Sequence, residues 1–151
     1  MKFSANINKY LTQESQSSDV SSIIDCKGFY GTSCNPISGL RWTQRTTWEL
    51  NDWTVSAQWR HIGSVDVEKS EAAGVFEAFR QIDDYDYVDL FASYRLSEHV
   101  NFTLGVDNVF EKEPPALGGE IGTTRANSGN TFPSNYDVLG RIYKAGIKVE
   151  F

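Results

Sequence analysis

The sequence predicts an all-β fold: an antiparallel segment of a transmembrane β-barrel, with about six strands. Three observations support this class. Apolar and polar residues alternate with a period of two over segments of about ten residues, short and long connections follow each other in turn, and one face of the segments carries no charged side chain. Strands of roughly 9 to 11 residues are long enough to cross a bilayer at a tilt.

The composition is that of a single folded domain. The chain has 151 residues, of which 40% are hydrophobic, and a net charge of -6, so we do not expect disorder. No apolar run approaches the roughly 18 to 20 residues of a membrane-spanning helix. The acidic balance, without a basic stripe, argues against nucleic acid as a partner. Residues 1–6 are too polar for a secretory signal, so either the protein is cytoplasmic or its targeting signal lies outside this chain.

The first three predicted strands lie in the N-terminal part of the chain. A short alternation over residues 2–8 predicts the first strand, and the segments 40–50 and 53–61 alternate around the two-residue turn Asn51-Asp52. Such a turn pairs Leu50 with Trp53, Trp48 with Val55 and Thr46 with Ala57, and it places Arg45 opposite Gln58. These pairings keep uncharged residues on one face and polar residues on the other.

The remaining three strands follow the same pattern. The segments 88–96 and 100–106 alternate on either side of a turn at 97–99, which places Leu96 opposite Val100 and Tyr94 opposite Phe102. The last strand alternates from Tyr143 to Phe151. The long connections then cover about residues 11–39, 63–86 and 108–140. Long loops without structure of their own are unusual in compact soluble domains, whereas outer-membrane barrels combine short periplasmic turns with long extracellular loops.

The two faces of these strands differ in charge. In the last five strands one face has no Asp, Glu, Lys or Arg, while the other carries both signs of charge. Aromatic residues form two groups on the uncharged face, one near the short turns and one near the long loops, as the girdles of a membrane barrel do. A soluble β-sandwich, which would bury the uncharged face as its core, is the alternative.

Cys26 and Cys34 lie close together in a loop-like segment. They are either a disulfide, which requires an oxidising compartment, or two unpaired thiols. The sequence has no nucleophile motif, no cluster with metal-ligand spacing and no phosphate-binding glycine loop. We therefore expect no catalytic residue, no metal and no cofactor.

The C-terminal part of the chain resembles the end of TonB-dependent outer-membrane receptors. The resemblance rests on Gly105-Val106-Asp107-Asn108-Val109-Phe110-Glu111-Lys112-Glu113-Pro114-Pro115, on Tyr136-Asp137-Val138-Leu139-Gly140-Arg141-Ile142-Tyr143, and on the terminal alternation to Phe151. Upstream, Cys26, Cys34, Pro36 and Arg41-Trp42 also resemble a late loop-to-strand passage of that family.

The resemblance implies a place in the bacterial outer membrane. Residues 1–151 would be the C-terminal part of a barrel of about 22 strands, without its earlier strands and plug domain. The family imports scarce nutrients such as ferric siderophores, cobalamin or oligosaccharides. The implied partners are outer-membrane lipid, the rest of the barrel with its plug, TonB through the missing N-terminal region, and the barrel assembly machinery. A secreted β-sandwich binding module is the alternative function.

The resemblance also suggests site residues. Arg45, Arg60 and Arg95, on the charged face, are candidates for contact with the plug or the ligand, the alternative being an ion-paired lumen wall. Tyr85, Arg125 and Tyr136, in the predicted loops, are candidates for contact with the ligand. Tyr143 and Phe151, in the last strand, fit the signal that the assembly machinery recognises.

Overall fold

A computed structural model describes residues 1–16, 18–117 and 131–151. It contains two short 3-10 helices, Ala72–Gly74 and Glu77–Phe79. The strands are β1 (Lys2–Lys9), β2 (Glu14–Ser15), β3 (Ile24–Asp25), β4 (Phe29–Tyr30), β5 (Leu40–Leu50), β6 (Trp53–Ile62), β7 (Val65–Val67), β8 (Gln81–Ile82), β9 (Tyr85–Arg95), β10 (Val100–Asp107) and β11 (Ile142–Val149). No helix in the described ranges is long and apolar enough to cross a membrane.

Six long strands form one antiparallel sheet in the order β1-β5-β6-β9-β10-β11. The predicted registers are confirmed: Leu50 pairs with Trp53, and Phe102 pairs with Tyr94. Asn51 turns the first hairpin with a φ of 52°, a left-handed conformation that asparagine tolerates better than most residues.

Strand β9 begins earlier than the sequence predicts. The alternation indicates a start at Val88, but the ladder with β6 continues until Tyr85 pairs with Ile62. Side-chain bonds across these extra rungs account for the extension. Trp59 Nε1 donates to Asp86 Oδ1 at 2.7 Å, and the same oxygen lies 2.9 Å from His61 Nδ1.

The uncharged face of the sheet, called the outer face below, is open. Leu104, Tyr143 and Ile147 are 62%, 71% and 62% exposed. In the described part of the chain no second sheet covers this face, although a β-sandwich requires one. The opposite face, called the charged face below, carries the ionic side chains. An all-β barrel segment therefore describes the sheet, and the sandwich alternative does not.

Most of the buried core lies in the three long connections, which together are called the loop layer below, and Ile62 at the end of β6 and Tyr87 in β9 complete it. Strands β2 and β3 pair with each other, and β4, β7 and β8 form a small three-stranded sheet in which β4 runs parallel to β7. The predicted long connections therefore contain short strands of their own, which the sequence pattern did not indicate. The core of this loop layer consists of Tyr30, Ile62, Val65, Val67, Val75, Ile82, Tyr87, Leu117, Phe132 and Tyr136.

Candidate functional site

An ionic network lies where the charged face meets the loop layer. Arg60 on β6 donates from Nε and Nη2 to the carboxylate of Asp89 on β9, at 2.7 and 2.9 Å. The same Nη2 donates to Oδ2 of Asp137 at 2.7 Å. Asp89 is 2% exposed, so its charge requires these partners. The network ties the segment that leads into β11 to the sheet.

Asn108 connects the end of β10 to this network. Its backbone N–H donates to Asp89 Oδ1 at 2.9 Å. Its side chain closes a turn, with Nδ2 donating to the carbonyl of Lys112 and Oδ1 accepting from the Lys112 N–H, both at 2.9 Å. Asn108 has a φ of 50°, a conformation in which asparagine is enriched. Asn108 of the sequence motif thus has a structural reason.

Tyr30 is the central side chain of the loop layer. It is completely buried, its hydroxyl donates to the Phe79 carbonyl, and its ring lies 5.7 Å from that of Phe132 in an edge-to-face arrangement. Burial, with a further contribution from the charge of Asp66, raises the pKa of Tyr30 to about 12. Tyr30 therefore joins all three long connections as a neutral phenol.

The structure pairs Cys26 and Cys34 in a buried disulfide. The loop that it closes receives the carboxylate of Glu68, whose Oε1 accepts from the N–H groups of Ser33 and Cys34 at 2.9 and 2.6 Å. Gly31 makes this approach possible, because a Cβ at that position would lie 2.5 Å from Glu68 Oε1. The disulfide loop and the second long connection are therefore fitted to each other.

The structure brings only some of the predicted ligand residues together. The ring of Tyr85 lies 5.1 Å from that of Tyr136, and Arg60 reaches the same region through Tyr87, whose ring lies 4.8 Å from the guanidinium carbon. Tyr136 is only 2% exposed, and burial raises its pKa. Its ring is therefore part of the loop-layer core and is not presented to a ligand in this arrangement.

The other predicted site residues lie apart from this cluster. Arg95 is at the short-turn end of β9, with Nη2 3.1 Å from Asp52 Oδ1. Arg45 lies in the middle of β5, and its guanidinium carbon is 4.8 Å from the centroid of the Phe91 ring. Arg125 lies outside the described residues. The five of these residues that the structure describes do not form one site, and contact of all six with a ligand stays a prediction.

Several members of the ionic network were not predicted as site residues. Asp89, Asn108 and Asp137 were visible as polar residues in a strand or a motif, but no spacing rule links positions that are 77 residues apart, as Arg60 and Asp137 are. Within the described ranges no group of three His, Cys, Asp or Glu side chains could hold a metal ion.

The last strand presents its apolar side chains on the outer face. Tyr143 is 71% exposed, and Phe151, beyond the end of β11, is fully exposed. Arg141 Nη1 donates to the Tyr143 hydroxyl at 3.3 Å. The sheet is open at β1 and β11, each of which pairs with a single neighbour in the described part of the chain. A recognition role for Tyr143 and Phe151 in assembly stays a prediction.

Comparisons with known proteins agree with this architecture. A family model described as TonB dependent receptor-like, beta-barrel, matches residues 4–109. Two mutant forms of the ferric enterobactin receptor PfeA from Pseudomonas aeruginosa align over 99% of this chain and 20% of theirs, at 19% identity and a TM-score of 0.64 in both cases. A search of curated proteins finds no match. The chain therefore spans about one fifth of the receptors whose fold it shares.

Proposed function

The chain belongs to the TonB-dependent receptor-like β-barrel family, and we propose that it forms part of the wall of an outer-membrane transporter that imports a scarce nutrient. The cargo class is a ferric siderophore, cobalamin or an oligosaccharide. The observation that carries the proposal is a family match over residues 4–109, joined to a six-stranded sheet with one uncharged open face and one charged face.

Each surface of the segment has a role in such a transporter. The outer face contacts lipid, because apolar side chains suit hydrocarbon and charged ones are costly there. The charged face lines the lumen and faces the plug domain. The edges β1 and β11 pair with the rest of the barrel, because unpaired backbone groups cannot remain exposed to lipid. The loop layer forms part of the outer vestibule.

The partners follow from these roles. They are outer-membrane lipid, the remaining barrel strands, the plug, TonB acting through the plug region, and the barrel assembly machinery, which would recognise Tyr143 and Phe151. The family consists of receptors and transporters, which supports transport and not catalysis as the activity.

Uptake of labelled cargo tests this proposal. A strain that lacks the gene is compared with its parent and with a strain that lacks TonB, using a ferric siderophore, cobalamin and an oligosaccharide in parallel. We expect one of the three to enter the parent strain and to fail in both mutants. Equal uptake of all three by the gene deletion and its parent would contradict the proposal.

A further inference from the structure

Arg45 differs in its partners from Arg60, Arg95 and Lys144, which lie on the same charged face. Arg60, Arg95 and Lys144 each form an ion pair with a carboxylate. For Arg45 the described residues provide none, and its cross-strand neighbours, Ser4 on β1 and Gln58 on β6, are neutral. The Nε atom of Arg45 is buried and has no hydrogen-bond partner among the same residues. Its charge is therefore uncompensated on this face.

The guanidinium of Arg45 is nevertheless held in place. Its carbon lies 4.8 Å from the centroid of the Phe91 ring, a cation-π distance. That ring in turn lies across Gly105 on β10, where an added Cβ would be 3.2 Å from Phe91 Cδ1. Gly105 thus leaves the space that Phe91 occupies. A guanidinium stacked on a ring keeps its planar donor edge for a carboxylate.

A second arginine extends the positive surface along β5. Arg41, on the same face, pairs across the sheet with Asn8 and Ile62. Its Nε atom is 3.4 Å from the hydroxyl of Ser38, and no carboxylate of the described residues pairs with it. An acidic partner is the chemistry that complements this strip, since an unpaired charge next to a protein surface is costly.

We propose that Arg45 binds a carboxylate of the plug domain. This inference rests on the proposed function, and the depth of Arg45 favours the plug over the cargo. Leu50, the end of β5, is five positions away, about 17 Å along the strand. Towards the long loops, the Arg60 network and the loop layer lie between Arg45 and the outside. At this depth the lumen of a large outer-membrane transporter is filled by its plug.

Photo-cross-linking tests the contact directly. In the full-length receptor in outer membranes, p-benzoylphenylalanine replaces Arg45 and, as the matched control, Gln44 on the outer face. We expect position 45 to cross-link to a plug peptide that contains Asp or Glu, and position 44 to give no plug product. A product with the barrel alone, or a product that forms only when anionic cargo is added, would overturn the proposal.

Charge substitution tests whether the contact holds the plug. The purified receptor is inserted into planar bilayers, and the fraction of conducting receptors is measured. Arg45→Glu is compared with Thr47→Glu, which introduces a glutamate on the same face but keeps Arg45. We expect Arg45→Glu to raise the conducting fraction at least about tenfold, Arg45→Lys to raise it less, and Thr47→Glu to stay near wild type. Equal effects of the two glutamate variants would overturn the proposal.

Two further measurements separate a lost plug contact from a folding defect and from a failure of the transport proposal. A heat-dependent gel shift reports the folded barrel, and Arg45→Gln replaces Arg45→Glu where the latter does not fold. We then expect Arg45→Gln to raise the fraction of conducting receptors. A conducting fraction equal to that of the wild type would contradict the proposal. Uptake by the wild-type receptor is measured separately, so that a receptor without TonB-dependent uptake but with the plug cross-link contradicts only the transport proposal.

Discussion

Asp89 connects three segments of the chain through a single buried carboxylate. It accepts from Arg60 on β6 and from the Asn108 backbone beyond β10, while it belongs to β9 itself. We expect Asp89→Asn to lower the free energy of unfolding by about 3 kcal/mol, because Arg60 then loses its buried counter-charge. Urea denaturation of the purified receptor in detergent measures this effect.

The matched control for that variant is Asp52→Asn. Asp52 pairs with Arg95 in the same way, but both side chains are more than half exposed. Exposed pairs contribute roughly 0 to 1 kcal/mol, so this variant should unfold close to the wild-type urea concentration. Similar losses in the two variants would show that burial does not set the strength of the Asp89 contacts.

The raised pKa of Tyr30 predicts a loss of folding stability at alkaline pH. Its pKa is about 12 in the folded chain against an ordinary 10.0, so the folded state binds this proton more tightly than the unfolded state does. The resulting stability is complete below pH 10 and is lost as the pH rises from about 10 through 12. Tyrosinate absorbance during an alkaline titration should show one late-titrating group fewer in Tyr30→Phe than in the wild type, in which the buried Tyr136 also titrates late. An unchanged titration in that variant would contradict the assignment.

For single residues, the sequence predicts which face of the sheet a side chain lies on, but not which distant residue it contacts. The alternation places Arg60 and Arg45 on one face, as the structure does. It gives no information on which carboxylate reaches each of them, because Asp137 arrives from a loop 77 positions away. Tyr136 fits a loop position in the sequence, yet it is buried, since burial in a loop layer depends on contacts between distant connections.

The strand β10 contains a glycine that depends on its neighbour β9. We expect Gly105→Val to destabilise the receptor by about 1 to 3 kcal/mol, because the added side chain meets Phe91, which must shift away. In a Phe91→Ala background the same change should cost less, since the ring is absent. Urea midpoints of the four proteins in this cycle measure the coupling, and purely additive losses would contradict the contact.

The disulfide belongs to the loop layer, and its loss should affect that layer alone. We expect Cys26→Ser with Cys34→Ser to destabilise the loop layer by about 2.5 kcal/mol, because the closed loop that holds Glu68 becomes free. Hydrogen exchange should rise in residues 26–34 and 65–71 and stay low in β10 and β11. Equal increases in the sheet and the loop layer would contradict their separation.

At the level of elements, the long strands were predictable and the loop layer was not. A period of two over ten residues is a strong local signal, and it gave the registers of both hairpins. Strands of two or three residues, such as β4 and β7, carry too few positions for a periodicity. Their pairing is parallel and joins separate connections, so no turn sequence marks it.

The whole molecule has its apolar surface and its buried core in different places. The outer face of the sheet remains open, while the core of the loop layer is buried. A water-soluble domain places its largest apolar surface inside, whereas a membrane barrel turns it towards lipid. The separation of the two is the arrangement that the proposed transporter requires, with lipid around the strands and water around the loops.

Spin labels along β10 test this account most directly. Cys26 and Cys34 are paired, so single cysteines introduced at 101–107 can be labelled one at a time in the receptor reconstituted into lipid bilayers. We predict that oxygen collisions are high at Phe102, Leu104 and Val106, and that a water-soluble relaxing agent is excluded from them, with the opposite order at Asn101, Thr103 and Asp107. Even-numbered positions shielded from both reagents, as in the core of a sandwich, would contradict the account.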